Sequence, residues 1–230
     1  MGELAAAIAH ELCQPLATIM SNAQAAQCLM DSINPPLAEL REIISDIFRA
    51  DKYAGDVINR IRDFTSKSKG RIQPLDLNSV VADALHLIAG EARRRAVRVR
   101  TELAQRLPIV SGDRTQLQQV LVNLAINGMQ AMANTPRSSC CLTVRTQSGP
   151  DGQVELAVED CGGGITPDHL PHLFETFFTT QEEGMGLGLS IARSIVESHH
   201  GRMWAENNSS RGATFHIALP AAPDRSAAVA

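Results

Sequence analysis

A histidine followed directly by a carboxylate, with an amide one helical turn on, is equipped for nucleophilic chemistry, and His10-Glu-Leu-Cys-Gln14-Pro15 has this form. Glu11 can take a proton from His10 and raise the nucleophilicity of the imidazole. Three glycine-bearing segments are of a second kind. Asp160-Cys-Gly-Gly-Gly-Ile165 follows a strand; Asp160 can accept a hydrogen bond from an exocyclic amine, while Gly162 and Gly164 allow a ligand close to the backbone. Gly184-Met-Gly-Leu-Gly-Leu189 runs into a helix, so the backbone N–H groups around Gly184, Gly186 and Gly188 suit phosphate oxygens. Gly212-Ala-Thr-Phe215 places Thr214 where its hydroxyl can back up Asp160. Each glycine segment taken alone also reads as an ordinary turn. Asn123 and Asn127 stand four apart, on one face of a helix otherwise rich in apolar residues. Two amides there either make core-capping hydrogen bonds or offer hard oxygen to Mg²⁺.

Composition removes several function classes. The 230 residues carry 21 basic and 25 acidic side chains, a net charge of -4, which argues against nonspecific nucleic-acid binding. Aromatic residues are 3%, too few for a base-stacking platform. No apolar run is long enough for a membrane span. Five cysteines, an odd number without a CxxC pair, fit a reduced cytoplasm better than a disulfide framework or zinc site. Neither a GxxxxGKS loop nor a GxGxxG between strand and helix is present, which disfavours P-loop and Rossmann chemistry.

The elements that position these residues fall into two parts. Residues 1–66 read as a helical hairpin, bent at Pro15 and turning at Asp31-Ser-Ile-Asn-Pro-Pro36. Positions 40, 43, 47, 50, 54, 57, 61 and 64 form an apolar seam along the second helix. A hairpin of this kind is ~45 Å long, and two copies joined as a four-helix bundle would cover its apolar surface; the alternative is a hairpin packed on the rest of its own chain. Residues 67–75 read as a linker, 76–220 as a mixed helix-and-hairpin domain of α+β class, and 221–230 as a disordered tail. Within 76–220, helices are expected from Asn78 or Ser79 (as cap) to about Arg95, from Asp113 to about Ala133, after Pro167, and from Gly188 to about Ser198. Strands are expected at Val97–Leu103, Leu142–Thr146, Val154–Glu159, Met203–Glu206 and Thr214–Leu219. Cys140-Cys141 opens a strand, Arg93-Arg-Arg95 suits a helix C-terminus, and His169, His172, His199 and His200 read as surface histidines.

Taken in order, these segments resemble the catalytic core of a sensor histidine kinase of two-component systems. His10–Leu16 is similar to the phospho-acceptor box, Asn123–Asn127 to the N box and Asp160–Ile165 to the first glycine box. Phe174-Glu-Thr-Phe-Phe-Thr-Thr180 is similar to the F box and Gly184–Leu189 to the second glycine box. The short stretch Gln181–Glu183 and Gly201-Arg-Met-Trp-Ala-Glu206 resemble the FixL/NtrB-like branch.

The resemblance implies a dimerisation and phosphotransfer hairpin followed by an α/β-sandwich ATP-binding domain of the Bergerat (GHKL) type. It implies ATP and Mg²⁺ as cofactors, a homodimer through 1–66, a response-regulator receiver domain as partner, and a cytoplasmic site of action. No sensor domain is recognisable in the chain, so the signal is expected from an upstream segment or a partner. By resemblance, His10 attacks the γ-phosphoryl group, Glu11 is base or orienter, and Gln14 orients water for dephosphorylating the partner. Asn127, helped by Asn123, holds Mg²⁺. Asp160 reads the adenine amine, with Gly162 and Gly164 giving room. Thr179, Thr180, Gly184, Gly186 and Gly188 cover the phosphates. Gly128 departs from the family's usual Ala, which predicts a looser helix; Cys13, Gln130 and Gln181 are further departures, the last two offering the phosphates no charge. Kinase, regulator phosphatase and noncatalytic ATP-binding dimer all remain open at this level.

Overall fold

The computed structural model of the chain describes residues 2–32, 35–65, 71–180 and 186–222, with side chains except at 2–11, 56, 59–65 and 151. Two compact units emerge, Met1–Ser68 and Lys69–Ala230.

The first unit is a pair of long helices, α1 (Gly2–Met30) and α2 (Leu37–Thr65), packed against each other. The helix assignment of α1 continues across Pro15, whose ring is buried. Ser32 closes the C-terminal end of α1 by donating its hydroxyl to the Leu29 carbonyl at 2.7 Å, one of the acceptors a helix end leaves unpaired. The α2 seam, expected to stay exposed in one hairpin and to be covered by a second copy, is shielded within this chain: Ala50, Ala54 and Val57 are buried and Leu40, Ile43 and Ile47 half-buried. Positions 61 and 64 lie outside the described side chains. A separate set of apolar residues stays exposed, Ile44, Phe48 and Ile58 on α2 and Leu16 and Met20 on α1, with Phe48 71% accessible.

The second unit sets three helices, α3 (Leu77–Arg94), α4 (Arg114–Ala131) and α5 (Gly188–Ser198), against one face of a five-stranded sheet. Its strands are β2 (Arg98–Leu103), β4 (Cys141–Ser148), β5 (Val154–Asp160), β6 (Arg202–Asn207) and β7 (Ala213–Leu219), in the order β2-β4-β5-β7-β6. Only β2 and β4 run parallel; the other pairs are antiparallel. Alternation sorts the residues by face. Leu142 and Val144 of β4, Val154, Leu156 and Val158 of β5, and Phe215, Ile217 and Leu219 of β7 meet Leu121, Leu124 and Met129 of α4 in one apolar core. The opposite face carries Arg145 bridged to Glu102 and Glu159, and Trp204 stacked on His216 with centroids 4.9 Å apart.

Two short strands, β1 (Gln73–Leu75) and β3 (Val110–Gly112), form a separate antiparallel pair that the sequence reading leaves out. The end of the expected linker is thus β1, and the start of the expected tail also joins structure: Ala221 bridges Val110, and the Ala222 N–H donates to the Ile109 carbonyl at 2.6 Å. Three residues are too few for a periodic signal. The cap of α3 is Asp76, whose carboxylate accepts the Asn78 N–H at 3.0 Å, not Asn78 or Ser79. Asn78 instead donates to the Ala104 carbonyl and accepts from Thr146. Asp113 caps α4 as expected, accepting the Gln116 N–H at 2.9 Å. After Pro167 the chain makes turns and a short 3-10 segment (Leu170–His172), not an α-helix.

His199 corrects the surface reading: it is 4% exposed. Its Nε2 accepts the Asp113 N–H at 2.9 Å and its Nδ1 lies 2.7 Å from the Ile195 carbonyl, so the proton sits on Nδ1. One imidazole thereby ties the end of α5 to the start of α4. The other three histidines of that reading differ: His200 and His172 are exposed, and His169 is half-buried. Replacing His199 with Ala leaves the buried Asp113 N–H without its partner, while the Ile195 carbonyl keeps the Ser198 hydroxyl and the residue-199 N–H. The expected loss is about 1–3 kcal/mol, read as a lowered denaturation midpoint at unchanged slope.

Candidate functional site

Asp160 ends β5 on the sheet face that meets α4, 3% exposed. Its Oδ1 accepts the Gly162 N–H at 2.7 Å, and the Ala213 backbone N–H bonds the same carboxylate. Burial pushes its pKa above the ordinary carboxylate value; the two N–H bonds pull the other way, and nearby Glu159 adds to the rise. A buried acceptor with lone pairs to spare at the mouth of a glycine loop suits a purine amine.

The loop after Asp160 is held from the β6–β7 connection. Asn207 clamps Ile165, its Oδ1 accepting the N–H and its Nδ2 donating to the carbonyl, each at 2.7 Å. Asn208 donates to the Asp160 carbonyl at 2.9 Å, and Arg211 donates to the Gly162 carbonyl at 3.0 Å. These three residues are absent from the sequence reading; the only signal was a polar Asn-Asn-Ser-Ser-Arg run between two strands. Gly212 is required on two counts: its φ is +89°, and a Cβ there would collide with the Asp160 carbonyl oxygen. Thr214 pairs with Glu159 in register, which turns its side chain to the face opposite Asp160. Its hydroxyl donates to Asn208 at 2.6 Å, so its support of Asp160 is indirect, through Asn208.

On α4 the two amides do different work. The Asn123 side chain donates to the Gly188 carbonyl, and a Cβ on Gly188 would sit 2.6 Å from Asn123 Oδ1. That fixes the first turn of α5 against α4, the core-capping alternative. Asn127, half-buried one turn on, makes no hydrogen bond to another described residue. Its carboxamide oxygen could serve a hard cation. Gly128 lies against the sheet: a Cβ there would come within 2.8 Å of Leu142 Cδ1 and 3.3 Å of Asp160 Cβ. Glycine at this place lets α4 approach the sheet, where the sequence suggested only a looser helix.

The F box and the second glycine box meet in space. The Phe177 N–H donates to the Gly186 carbonyl at 3.1 Å, and Gly186, with φ +62°, packs where any Cβ would strike the Phe177–Phe178 backbone. Phe178 lies against His169 and His172, with centroids 5.4 and 6.0 Å away, and Phe174 lies under Arg193. The segment 181–185, with Gly184 and Gln181, lies outside the described residues; Thr179 and Thr180 lead into it, both exposed. Gly162 and Gly164 stand in the loop after Asp160, Gly162 buried and Gly164 exposed. In the other unit, His10 and Glu11 lie on the backbone of α1 with side chains outside the description, and Gln14 is exposed on the same helix. Among the described residues, no cluster of three His, Cys, Asp or Glu could hold a metal, and no helix is long and apolar enough to cross a membrane.

Asp160→Asn should weaken binding of a fluorescent ATP analogue by about tenfold or more. In the wild type, binding should fall on acidification from a higher pH than an ordinary Asp would give. The folded value lies above the unfolded one, so this group's stability contribution is present at low pH and lost as pH rises through the folded value. Acidification therefore strengthens this part of the fold while weakening the ligand, as parallel binding and melting titrations would show. Gly128→Ala should cost about 1–3 kcal/mol through overpacking, despite gaining about 1 kcal/mol of helix propensity. Adding Leu142→Val should restore part of the loss in melting temperature.

Residues 1–70 match the His Kinase A (phospho-acceptor) domain family, and residues 112–223 the histidine kinase-, DNA gyrase B- and HSP90-like ATPase family. Over 225 residues the chain is 41% identical to the sensor protein FixL of Bradyrhizobium diazoefficiens, covering 97% of this chain and 44% of that protein. It is also 41% identical over 220 residues to the C4-dicarboxylate transport sensor protein DctS of Rhodobacter capsulatus, covering 96% of this chain and 33% of that protein. The chain thus spans less than half the length of these curated relatives. Among solved structures, the nucleotide-free catalytic domain of histidine kinase ThkA superposes with a TM-score of 0.58 at 28% identity, covering 65% of this chain and 95% of that one. ThkA in complex with the response regulator TrrA shares the fold, with a TM-score of 0.71 at 24% identity over 97% of this chain and 63% of that one.

Proposed function

The chain belongs to the sensor histidine kinases of two-component systems, with a phospho-acceptor domain ahead of a histidine kinase-type ATPase domain, and from that membership we propose that it phosphorylates itself on His10 from ATP. The observation that carries the reading is the presence, in one chain, of a His-Glu pair on α1 and a nucleotide cradle built round the buried Asp160. In the cradle, the Asp160 carboxylate accepts from the adenine amine, and the Asn207–Arg211 clamps hold the loop beneath it. A free imidazole nitrogen of His10 attacks the γ-phosphorus, the bond to the β,γ-bridging oxygen breaks, and ADP leaves. Glu11 holds the other ring nitrogen and takes up its proton. Where Mg²⁺ is bound it neutralises phosphate charge, and the Asn127 carboxamide oxygen is the donor on α4 suited to it. Catalysis of this kind is positioning and charge neutralisation.

The phosphohistidine then passes its phosphoryl group to an Asp of a response-regulator receiver domain. Gln14, four residues after His10 on α1, is the residue that would orient water for the reverse, dephosphorylating activity. The exposed apolar set Leu16, Met20, Ile44, Phe48 and Ile58 is the surface a second copy would cover to make a four-helix bundle. ATP as the phosphoryl donor fits a cytoplasmic site of action. The two units of the domain reading are the hairpin of residues 1–66 and the ATP-binding domain of residues 76–220.

The test is incorporation of acid-labile, base-stable phosphate from ATP and Mg²⁺ by the wild type and by His10→Gln. Label on the wild type and none on the variant is the expected result. A wild type that binds ATP yet stays unlabelled overturns the kinase reading.

A further inference from the structure

Two cysteines face each other across the sheet at the rim of the nucleotide cradle. In the β4–β5 ladder Leu142 lies opposite Asp160, so one further step of the same register sets Cys141 opposite Cys161. Alternation puts both side chains on the face away from α4, while Asp160 points toward it. The placement is independently visible in the sulfur's surroundings. Burial, with Cys141 and Glu159 as neighbours, pushes the Cys161 thiol above its ordinary value. Cys141 Sγ is also 4.0 Å from Thr143 Oγ1, the next residue on that face. Both cysteines are partly exposed. Cys140, by contrast, is buried and turned toward the carbonyls of Met132, Thr135 and Pro136. Directly opposed residues on antiparallel strands have Cα atoms about 4.5 or 5.5 Å apart, inside the span of roughly 4.4–6.8 Å that a disulfide requires.

We propose that Cys141 and Cys161 form a reversible dithiol–disulfide site whose oxidation by hydrogen peroxide weakens nucleotide binding. The Cys141 thiolate attacks a peroxide oxygen; the O–O bond breaks, hydroxide leaves as water after taking a proton, and Cys141 becomes a sulfenic acid. Cys161 is the resolving thiol, kept protonated by its burial. Its sulfur attacks the Cys141 sulfur, the S–O bond breaks, and the departing hydroxide takes the Cys161 proton. Two thiols lose two electrons, and one peroxide becomes two waters.

The effect on nucleotide travels through backbone. Cys161 is the peptide link between Asp160 and Gly162, whose N–H holds Asp160 Oδ1 at 2.7 Å. Gly162 has no slack: its Cβ position lies 2.6 Å from the Ala131 carbonyl oxygen, and Arg211 holds its own carbonyl. Drawing the two sulfurs to about 2.05 Å moves Cys161 while the Gly162 Cα and carbonyl stay held, so the 161–162 peptide tilts and turns the Gly162 N–H away from the carboxylate.

This inference rests on the ATP-domain reading, and the experiment separates the two. The full chain, reduced, is titrated with a fluorescent ATP analogue, treated with hydrogen peroxide, titrated again, and digested without reductant for peptide mass mapping. Binding by the reduced protein tests the domain reading by itself. The expected result for the cysteine pair is a linked peptide joining Cys141 to Cys161, an affinity about tenfold lower, and recovery of both with a phosphine reductant. Cys141→Ser, near-isosteric and outside the cradle loop, should bind nucleotide like the reduced wild type and keep that affinity in peroxide. Absence of the 141–161 link in the oxidised wild type overturns the proposal without any variant. So does a link that forms with no change in affinity.

Discussion

Everything in the second unit answers to one electrostatic constraint: a carboxylate at the end of β5 is buried. Left alone, Asp160 would carry a large desolvation penalty. The fold offsets it with backbone N–H groups from Gly162, in the loop after β5, and Ala213, at the start of β7, and both donors need their own scaffolding. Hence Gly212, where no side chain fits against the Asp160 carbonyl, and hence Asn207, Asn208 and Arg211, which fasten the 160–165 loop to the β6–β7 connection. The carboxylate is thus preorganised before any ligand arrives, which is what a selective purine contact requires.

Helix α4 is the other half of the cradle. Its glycine at 128 lets it come close to Leu142 and Asp160, and its Asn123 fixes the first turn of α5. The far end of α5 returns to the start of α4 through His199 and Asp113. Helix α5 is therefore pinned to α4 at both of its ends by polar contacts and along its length by the apolar core. The Phe177 N–H donates to the Gly186 carbonyl, which holds the start of α5 against the 174–180 segment.

The hairpin unit follows a different logic. Its seam is satisfied inside one chain by small residues, Ala50 and Ala54, which let the helices approach. The bulky residues that remain exposed, Phe48 above all, are not the seam. The surface available to a second copy is thus a distinct stripe, and the hairpin's own cohesion and its capacity to pair are encoded by different residues.

Much of this was readable in the residues themselves. The two long helices, the cap at Asp113, the alternating strands and the order of the glycine segments follow from local periodicity and turn chemistry, which need no tertiary context. Asp160 stood out in the sequence as a carboxylate at a strand end before a glycine run, and the fold buries it there. What tertiary structure alone decided is whatever depends on residues far apart in sequence. It paired β1 with β3, and ran β2 parallel to β4. It buried His199, divided Asn123 from Asn127 in role, turned Thr214 away from Asp160, and recruited Asn207, Asn208 and Arg211. The physical reason is common to all of them: a hydrogen bond or a steric contact is a property of two groups, and residue type and spacing name only one.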